Sequence, residues 1–378
     1  MKKTLLALAV AGVATSAFAN TNVYSYSNGS SSANLGVFAE ARYNYTKAVE
    51  RIKDRTDNKT TKDVTKLNEG RLRFGVYGAI TDSNNLTYSF YTRFQTTFDY
   101  LNEKQTGVAR QKSHTRQGVD VNRAYVQLSH STLGSVLYGK YVTVADDRFN
   151  NDLEYDVYNT NKPFTAFSAT TGEFDSVITY KAPVVYGVSG AVSYGETKES
   201  QTDYTKQVAV KLTYDLSGNH VVFVYANTRD RADYTTTTTY NSYDLAFYND
   251  GLVKDFTLGA DVAFEHQKRA NTDLYKTKAW SLAAKATYTG FQYAQPFLNV
   301  AYVQTKDHGS DTRVKSKAVN LAFGLQSDVY TYKTAKATVF VEGVYSRDSL
   351  KYRTVSTNEV SKATLKHKAF TVGAKLAF

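Results

Sequence analysis

The sequence contains no cysteine among its 378 residues and only three prolines. Without cysteine, neither a disulfide framework nor a thiolate metal site can hold the fold together. The scarcity of proline leaves almost every backbone N–H able to donate to a neighbouring strand. The 31 tyrosines and 20 phenylalanines favour β-strands and membrane interfaces. The composition therefore indicates a chain held together by strand pairing.

Long apolar runs are also missing beyond the N-terminal region. No later segment approaches the roughly 18 consecutive apolar residues that a membrane-spanning helix requires. The mean hydropathy of −0.44 would ordinarily suggest a water-soluble protein. A transmembrane β-barrel escapes both tests, because only alternate residues of each strand face lipid.

The first nineteen residues have the layout of a secretory signal peptide. Lys2 and Lys3 precede an apolar run at residues 5–13, and Ala17-Phe18-Ala19 matches the small-residue pattern of a cleavage site. The run is too short to span a bilayer core of about 30 Å, which argues against an uncleaved anchor. We predict cleavage after Ala19, so that residues 20–378 form the mature chain.

Basic residues outnumber acidic ones by 46 to 35, which gives a formal net charge of +11. Such an excess is typical of nucleic-acid binding, of contact with an anionic membrane surface, or of a preference for anionic solutes. The export signal argues against nucleic acid as a partner.

Apolar and polar residues alternate along much of the chain, which predicts strands with one apolar and one polar face. Residues 35–45 place apolar side chains on one face and charged ones on the other, and residues 71–80 and 86–98 continue the pattern. The segment 47–68 is so rich in charge that it predicts an exposed loop.

The connections between these strands alternate between short and long, as at the two rims of an outer-membrane barrel. Seven short and eight long connections predict sixteen antiparallel strands, an even number as in single-chain bacterial barrels. A soluble β-sandwich is the alternative, although the strands run near the ten or so residues that cross a bilayer. The long connections lie near residues 47–68, 99–119, 141–173, 196–205, 229–240, 267–277, 305–316 and 347–365.

The stretch from Arg123 to Asp156 reads as two short strands joined by a turn and followed by a long acidic segment. In its first strand, Arg123, Tyr125 and Gln127 alternate with apolar residues, so one face suits water and the other suits lipid or a core. We interpret this stretch as the hairpin that carries a pore's constriction loop.

The last strand, residues 366–378, places Phe370, Val372 and Phe378 on one face and Lys375 on the other. Chain termini of soluble domains usually fray. An aromatic residue that ends the chain within a strand suits a barrel closed by pairing of the last strand with the first.

Four motifs follow one another along the chain: Arg71-Leu-Arg-Phe-Gly-Val-Tyr-Gly78, Asn122-Arg-Ala-Tyr-Val-Gln-Leu128 with Leu133-Gly-Ser-Val-Leu-Tyr-Gly-Lys140, Asp175-Ser-Val-Ile-Thr-Tyr-Lys-Ala-Pro183, and the terminal Phe378. Together they resemble the general diffusion porins of Gram-negative outer membranes. The resemblance spans residues 20–378 and implies a single all-β domain, a sixteen-stranded transmembrane barrel whose third long loop folds into the lumen. It also implies a homotrimer in contact with outer-membrane lipid and lipopolysaccharide, and an assembly signal at Phe378 that is similar to the one read by the barrel-assembly machinery.

In that family, bases on the barrel wall oppose acids of the inward loop. By position in the motifs, Arg73 and Lys140 match wall bases, and Arg42, Arg93 and Arg123 join them on lumen-facing parity. Opposed charges across a narrow aqueous gap create a transverse field that orients dipolar solutes. The loop acids implied by the resemblance are Asp146, Asp147, Asp152, Glu154 and Asp156.

Two features depart from the family pattern. The usual loop sequence Pro-Glu-Phe-Gly-Gly-Asp is replaced at residues 147–152 by Asp-Arg-Phe-Asn-Asn-Asp. Lys140 shares parity with Val136 and Tyr138, which should face lipid, so a bulge at Gly139 would be needed to turn it inward.

The sequence nominates no catalytic or cofactor site, so we expect neither enzymatic activity nor a bound cofactor or metal. Residues 134–141 imitate a Walker loop, but Tyr141 stands where Ser or Thr is required, and no helix pattern follows. The six histidines are dispersed without ligand spacing. A triad assembled from separate strands is not excluded by sequence alone.

The leading hypothesis is a water-filled channel for passive diffusion of small hydrophilic solutes and ions, with anions somewhat favoured by a net positive lumen. One alternative is an outer-membrane barrel that acts mainly as an adhesin through its long surface loops. Another is an enzyme barrel. A sugar-specific channel would show a line of lumen aromatics, whereas most aromatics here fall on the lipid-facing parity.

Overall fold

The computed structural model describes residues 21–28, 31–55, 58–105, 111–116, 118–146, 165–167, 173–198, 200, 203–231, 236–270, 275–291, 293–309, 311–332 and 335–377. Within these ranges, no helix is long and apolar enough to cross a membrane. The described residues form eighteen β-strands: β1 (Thr21–Ser27), β2 (Ser32–Asp54), β3 (Thr60–Thr81), β4 (Leu86–Gln105), β5 (Gln111–Arg116), β6 (Asp120–His130), β7 (Gly134–Tyr141), β8 (Phe174–Lys181), β9 (Val188–Lys198), β10 (Tyr204–Leu216), β11 (Asn219–Arg231), β12 (Thr237–Val253), β13 (Phe256–Arg269), β14 (Lys276–Tyr288), β15 (Gln295–His308), β16 (Thr312–Tyr332), β17 (Ala335–Thr354) and β18 (Val360–Ala377).

Sixteen of the described strands pair antiparallel in a closed ring. Each strand from β6 to β18 pairs with the next, β18 pairs back with β2, and β2, β3 and β4 lead round to β6. The short strands β1 and β5 lie outside this ring, where β1 pairs with the start of β2 and β5 with the end of β4. Closure leaves no sheet edge with unpaired backbone groups, which is a requirement for strands in lipid. The predicted sixteen-stranded barrel is confirmed.

Side chains alternate between the two faces of the wall, as a barrel in lipid requires. On β14, for example, Leu282 is 52% exposed and faces outward, whereas Ala283 is 1% exposed and faces the lumen. The inward positions of β9 to β14 carry mostly small or polar side chains, including Ser193, Ala209 and Ser281. These small side chains leave room inside the barrel for another segment of the chain.

The prediction of an exposed loop at residues 47–68 is wrong. β2 and β3 remain paired in register from Lys47 and Lys66 to Lys53 and Thr60, and only residues 55–59 separate the two strands in the sequence. Beyond the bilayer a strand faces water on both sides, so its sequence no longer needs an apolar face. The segments 305–316 and 347–365 are mostly strand for the same reason.

The third long connection joins β7 to β8 and turns into the barrel. Its described parts are residues 142–146, residues 165–167 and Glu173, and they include four apolar side chains that are almost fully buried: Val144, Ala145, Ala166 and Phe167. The inward-folded third loop is therefore confirmed for the part of it that the structure describes.

Candidate pore constriction

Inward-facing bases cluster on the neighbouring strands β18, β2, β3, β4 and β6. Arg42 lies directly opposite Arg71 on one side and Lys375 on the other, and Arg93 lies opposite Arg123. Like charges at directly opposed positions of a strand pair are destabilising. Strand pairing alone therefore does not account for this cluster, which points to a role in the aqueous lumen.

Glu40 holds one half of the cluster together. Its carboxylate oxygens lie 3.2 Å from Arg71 Nη2, 3.6 Å from Arg73 Nη1 and 3.4 Å from Lys375 Nζ. Arg73 also donates from Nε to Gln95 Oε1 at 2.6 Å. These contacts hold three cationic groups side by side around one carboxylate.

Glu173 performs the same task for the other half. Its Oε1 lies 3.1 Å from Arg93 Nη2 and 3.3 Å from Arg123 Nε. Asn122 joins this group because its Oδ1 accepts a hydrogen bond from Arg93 Nε at 2.7 Å. The sequence did not identify Glu173. This residue lies directly before β8, where the third loop returns to the barrel wall, and it is therefore again close to the β6–β7 hairpin from which the loop starts.

Four inward aromatic rings lie beside the arginines, on β2, β4, β6 and β7. Ring centroids of Phe38 and Tyr91 are 5.1 Å apart, those of Tyr91 and Tyr125 are 5.3 Å apart, and those of Tyr125 and Tyr141 are 4.7 Å apart. The Arg123 guanidinium lies 5.0 Å from the Tyr141 centroid, within the range of a cation–π interaction. This row of rings packs along the inner wall beside the arginines. In the sequence, it was indicated only by the inward-facing positions of Tyr91 and Tyr125.

The described ends of the third loop are anchored on the other side of the lumen. Ser193 Oγ on β9 accepts a hydrogen bond from the Val144 N–H at 3.0 Å, and Ser281 Oγ on β14 accepts one from the Ala166 N–H at 2.7 Å. A hydrogen bond also joins the Thr143 hydroxyl to the side chain of Gln207 on β10. The apolar loop residues pack on small inward side chains there, namely Ala209, Val222, Val224, Ala226 and Ala263.

Inward carboxylates line that same side of the lumen. Asp244 on β12 and Asp261 on β13 are 1% and 2% exposed, and their strands lie half-way round the ring from β3 and β4. The lumen is therefore not uniformly positive: the arginine cluster lies on one wall, and Asp244 and Asp261 lie on the wall opposite. Parity could have identified these acids in the sequence. Among the described side chains, the inward carboxylates of β11 to β17 are Asp230, Asp244, Asp261, Glu265, Asp307, Asp328, Glu342 and Asp348.

The structure places Arg42, Arg73, Arg93 and Arg123 on the inner face of neighbouring strands, β2, β3, β4 and β6. It does not bring Lys140 into this cluster: Lys140 is opposite the outward-facing Ala124, and its Nζ lies 3.1 Å from Asp175 Oδ1. The register does shift between Gly139 and Tyr141, but Lys140 keeps the outward parity of Tyr138.

Of the predicted loop acids, Asp146 is described. It is half-buried, and its N–H donates to the Thr143 carbonyl at 3.1 Å. The predicted loop acids Asp147, Asp152, Glu154 and Asp156 lie outside the described residues, as do the predicted assembly signal Phe378 and the predicted signal peptide.

A family model described as Gram-negative porin matches residues 4–376. A search of curated protein sequences gives no match. Among solved structures, the trimer form of OmpT, an outer membrane protein of Vibrio cholerae, has a TM-score of 0.61 at 13% identity, covering 92% of this chain and 99% of its own.

Two further structures share the architecture. An anion-selective porin from Comamonas acidovorans has a TM-score of 0.56 at 16% identity, and it covers 92% of this chain and 100% of its own. Salmonella typhi OmpF, in complex with daunomycin, has a TM-score of 0.51 at 13% identity with the same coverage. At these identities the similarity concerns the fold.

Proposed function

This chain belongs to the Gram-negative porin family, and we propose that it lets small hydrophilic solutes and ions diffuse passively through its barrel, with a mild preference for anions. As a member of that family it is an outer-membrane channel protein. Passive diffusion needs no energy source, because solutes move down their own gradients and the protein only shapes and charges the path.

The basic wall carries the proposed preference. Six inward bases lie on β18, β2, β3, β4 and β6, and Glu40 and Glu173 form ion pairs with five of them: Arg71, Arg73, Lys375, Arg93 and Arg123. A positive balance at a narrow part of an aqueous path raises the local concentration of anions. The six bases are Arg42, Arg71, Arg73, Arg93, Arg123 and Lys375.

Single-channel recording with ion gradients tests both parts of the proposal. We expect discrete open steps and a reversal potential that indicates modest anion preference. Arg73→Ala should lower the anion-to-cation permeability ratio by up to roughly tenfold, since one charge about 6 Å from an ion in water stabilises an anion, and destabilises a cation, by ~0.7 kcal/mol.

Arg347→Ala is the matched control, because it removes the same charge from an outward position on β17. We expect its permeability ratio to equal that of the unmodified protein. Equal effects of the two substitutions would contradict the assignment of Arg73 to the conduction path. A lack of discrete steps would overturn the channel, whereas cation preference would overturn only the anion preference.

We also propose a homotrimer that forms through the outward faces of β4, β6, β7 and β8. Phe90, Val126, Tyr138 and Ile178 there are 40–58% exposed and apolar. Among the described side chains of these strands, Lys140 is the one lysine or arginine that faces outward, and it pairs with Asp175. A wall with so little charge suits contact with another copy of the barrel.

Export and insertion complete the proposal. We propose that the signal peptide is cleaved after Ala19, that the barrel-assembly machinery reads the C-terminal strand with Phe378, and that the inserted barrel contacts lipid and lipopolysaccharide. The outward parity of Phe370 and Val372, 47% and 43% exposed on β18, supports the apolar face that such a signal needs.

A further inference from the structure

The row of inward aromatic rings beside the arginines continues onto β3. Tyr77 faces the lumen directly opposite Tyr91 on β4, and Tyr91 lies directly opposite Tyr125 on β6. Phe38 and Tyr141 flank these three tyrosines. All five side chains are partly exposed. They form an aromatic strip along the inner wall, with ring surface open to the lumen.

Two glycines let rings of the aromatic strip lie flat against the wall. A side chain at Gly36 would overlap the Tyr77 ring, and a side chain at Gly75 would overlap the Phe38 ring. Each of these rings therefore rests on the backbone of the neighbouring strand. The planes of Phe38 and Tyr91 are within 14° of each other. A strip of this kind presents ring faces, which suit contact with a flat apolar group.

Arg93 and Arg123 lie next to the aromatic strip, on the side of the long loops. They are directly opposed, and each is two positions along its strand from Tyr91 or Tyr125. Two residues along a strand span about 7 Å. That span is comparable to one aromatic ring with a carboxylate on a short side chain. A single small molecule can therefore contact the strip and a guanidinium at the same time.

Arg123 has donors available for such a carboxylate. Its Nε lies 3.3 Å from Glu173 Oε1, and its guanidinium carbon lies 5.0 Å from the Tyr141 ring centroid. Its two terminal nitrogens form no hydrogen bond with the residues that the structure describes. Adjacent N–H groups of a guanidinium bind a carboxylate in a bidentate manner. Glu173, held between Arg93 and Arg123, shows that the pair accommodates a carboxylate.

The amide side chains beside the strip favour an aromatic solute over a saccharide. Gln95 Oε1 already accepts hydrogen bonds from Arg73 Nε at 2.6 Å and from Asn122 Nδ2 at 3.2 Å. Asn122 Oδ1 accepts one from Arg93 Nε at 2.7 Å. These amides hold the arginines in place, so they leave few acceptors for the several hydroxyl groups of a saccharide. An aromatic carboxylate needs only ring contact and one anion partner.

We propose that the aromatic strip and Arg123 form a binding site for small aromatic carboxylates. The carboxylate binds the terminal nitrogens of Arg123, and the solute ring lies offset over Tyr91 and Tyr125. Few contacts hold the solute, so it can leave toward either end of the lumen. The proposal names a class of solute for the channel and therefore rests on the proposed function.

Phenylacetate is a suitable probe, and isothermal titration calorimetry of the detergent-solubilised protein measures its binding independently of conduction. We expect phenylacetate to bind more tightly than cyclohexylacetate, which has the carboxylate without a flat ring. It should also bind more tightly than 2-phenylethanol, which has the ring without the carboxylate.

Variants of the two parts of the site should each weaken phenylacetate binding. Tyr91→Leu combined with Tyr125→Leu keeps the wall apolar but removes two ring faces, so we expect a loss of roughly tenfold. The affinity of this variant for cyclohexylacetate should change little. Arg123→Gln removes a charged hydrogen-bond donor and should also weaken phenylacetate binding roughly tenfold.

The outer wall of the barrel supplies matched controls. Tyr225 and Tyr243 are also directly opposed, with ring centroids 5.0 Å apart, but they face outward. Tyr225→Leu combined with Tyr243→Leu should therefore bind phenylacetate as the unmodified protein does, and so should Arg347→Gln on the outward face of β17. Circular dichroism reports whether the barrel of each variant is intact.

Unchanged phenylacetate affinity in the Tyr91 and Tyr125 variant with an intact barrel would overturn the proposal. Equal affinity of the unmodified protein for phenylacetate and cyclohexylacetate would also overturn it, as would tighter binding of galacturonate, an acidic sugar. Single-channel recording separates this site from the proposed function. Discrete conductance steps without phenylacetate binding remove the site and retain the channel, whereas the expected binding pattern without conductance removes the channel and retains the site.

Discussion

Glu40 determines how the bases around it affect the lumen, because a single carboxylate contacts Arg71, Arg73 and Lys375. Glu40→Gln should raise anion preference, the opposite direction from Arg73→Ala. It should also lower the free energy of unfolding by about 1–3 kcal/mol, since charged hydrogen bonds are lost and like charges remain side by side.

Reversal potentials and denaturant unfolding in lipid vesicles measure the two effects of Glu40→Gln. Glu359→Gln is the control, because Glu359 is exposed in the connection between β17 and β18. A Glu40→Gln protein with unchanged selectivity would mean that the Arg71 and Arg73 side chains lie outside the path of the ions.

The sequence could predict which arginines face the lumen but not how they are compensated. The family motif assigns Arg73 to the inner face, and alternation assigns Arg42, Arg93 and Arg123 to it, because parity within a strand does not depend on its neighbours. Glu173 reaches Arg93 across 80 residues of sequence. Such a contact follows from loop closure, which no local pattern encodes.

At the scale of elements, two serine hydroxyls hold the third loop against the wall. Ser193→Ala combined with Ser281→Ala would leave the buried N–H groups of Val144 and Ala166 without these acceptors, at a cost of about 1–3 kcal/mol each. We expect a looser loop, which single-channel recording should reveal as larger current fluctuations and a higher mean conductance.

Ser346→Ala is the matched control for the serine variant. Ser346 is equally buried in the lumen wall, but its hydroxyl bonds to Asn320 of the neighbouring strand rather than to the loop. Current noise in the double serine variant that matches the noise of this control would contradict the role of the two hydroxyls as loop anchors.

Element boundaries were predictable only where strands cross lipid. Short turns and lipid-facing strands leave a clear alternation, whereas the outer parts of β2 and β3 are paired strands with charged residues on both faces. Because water solvates both faces there, these strands have the polar composition that is typical of loops. Pairing with a neighbour, rather than local propensity, keeps these segments extended.

At the scale of the whole molecule, net charge is a poor guide to the lumen. The formal charge of +11 suggested a positive interior, yet outward positions on the loop half of the barrel hold many of the bases, and inward carboxylates line the wall opposite the arginines. Only the separation of inner from outer faces distinguishes the bases that face the lumen from those on the outside of the barrel.

The absence of cysteine makes the proposed trimer contact directly testable. Val126→Cys places a single thiol on the outward face of β6, where it is expected at the interface between copies, and a bifunctional maleimide should link copies in isolated membranes. Leu298→Cys places a thiol of similar exposure, 48% against 58%, on β15 across the barrel, where lipid should surround it.

Electrophoresis should show linked species for Val126→Cys alone. Linked species at Leu298→Cys but not at Val126→Cys would move the contact to the opposite wall, and none at either position while the barrel remains inserted would contradict assembly through β4 to β8.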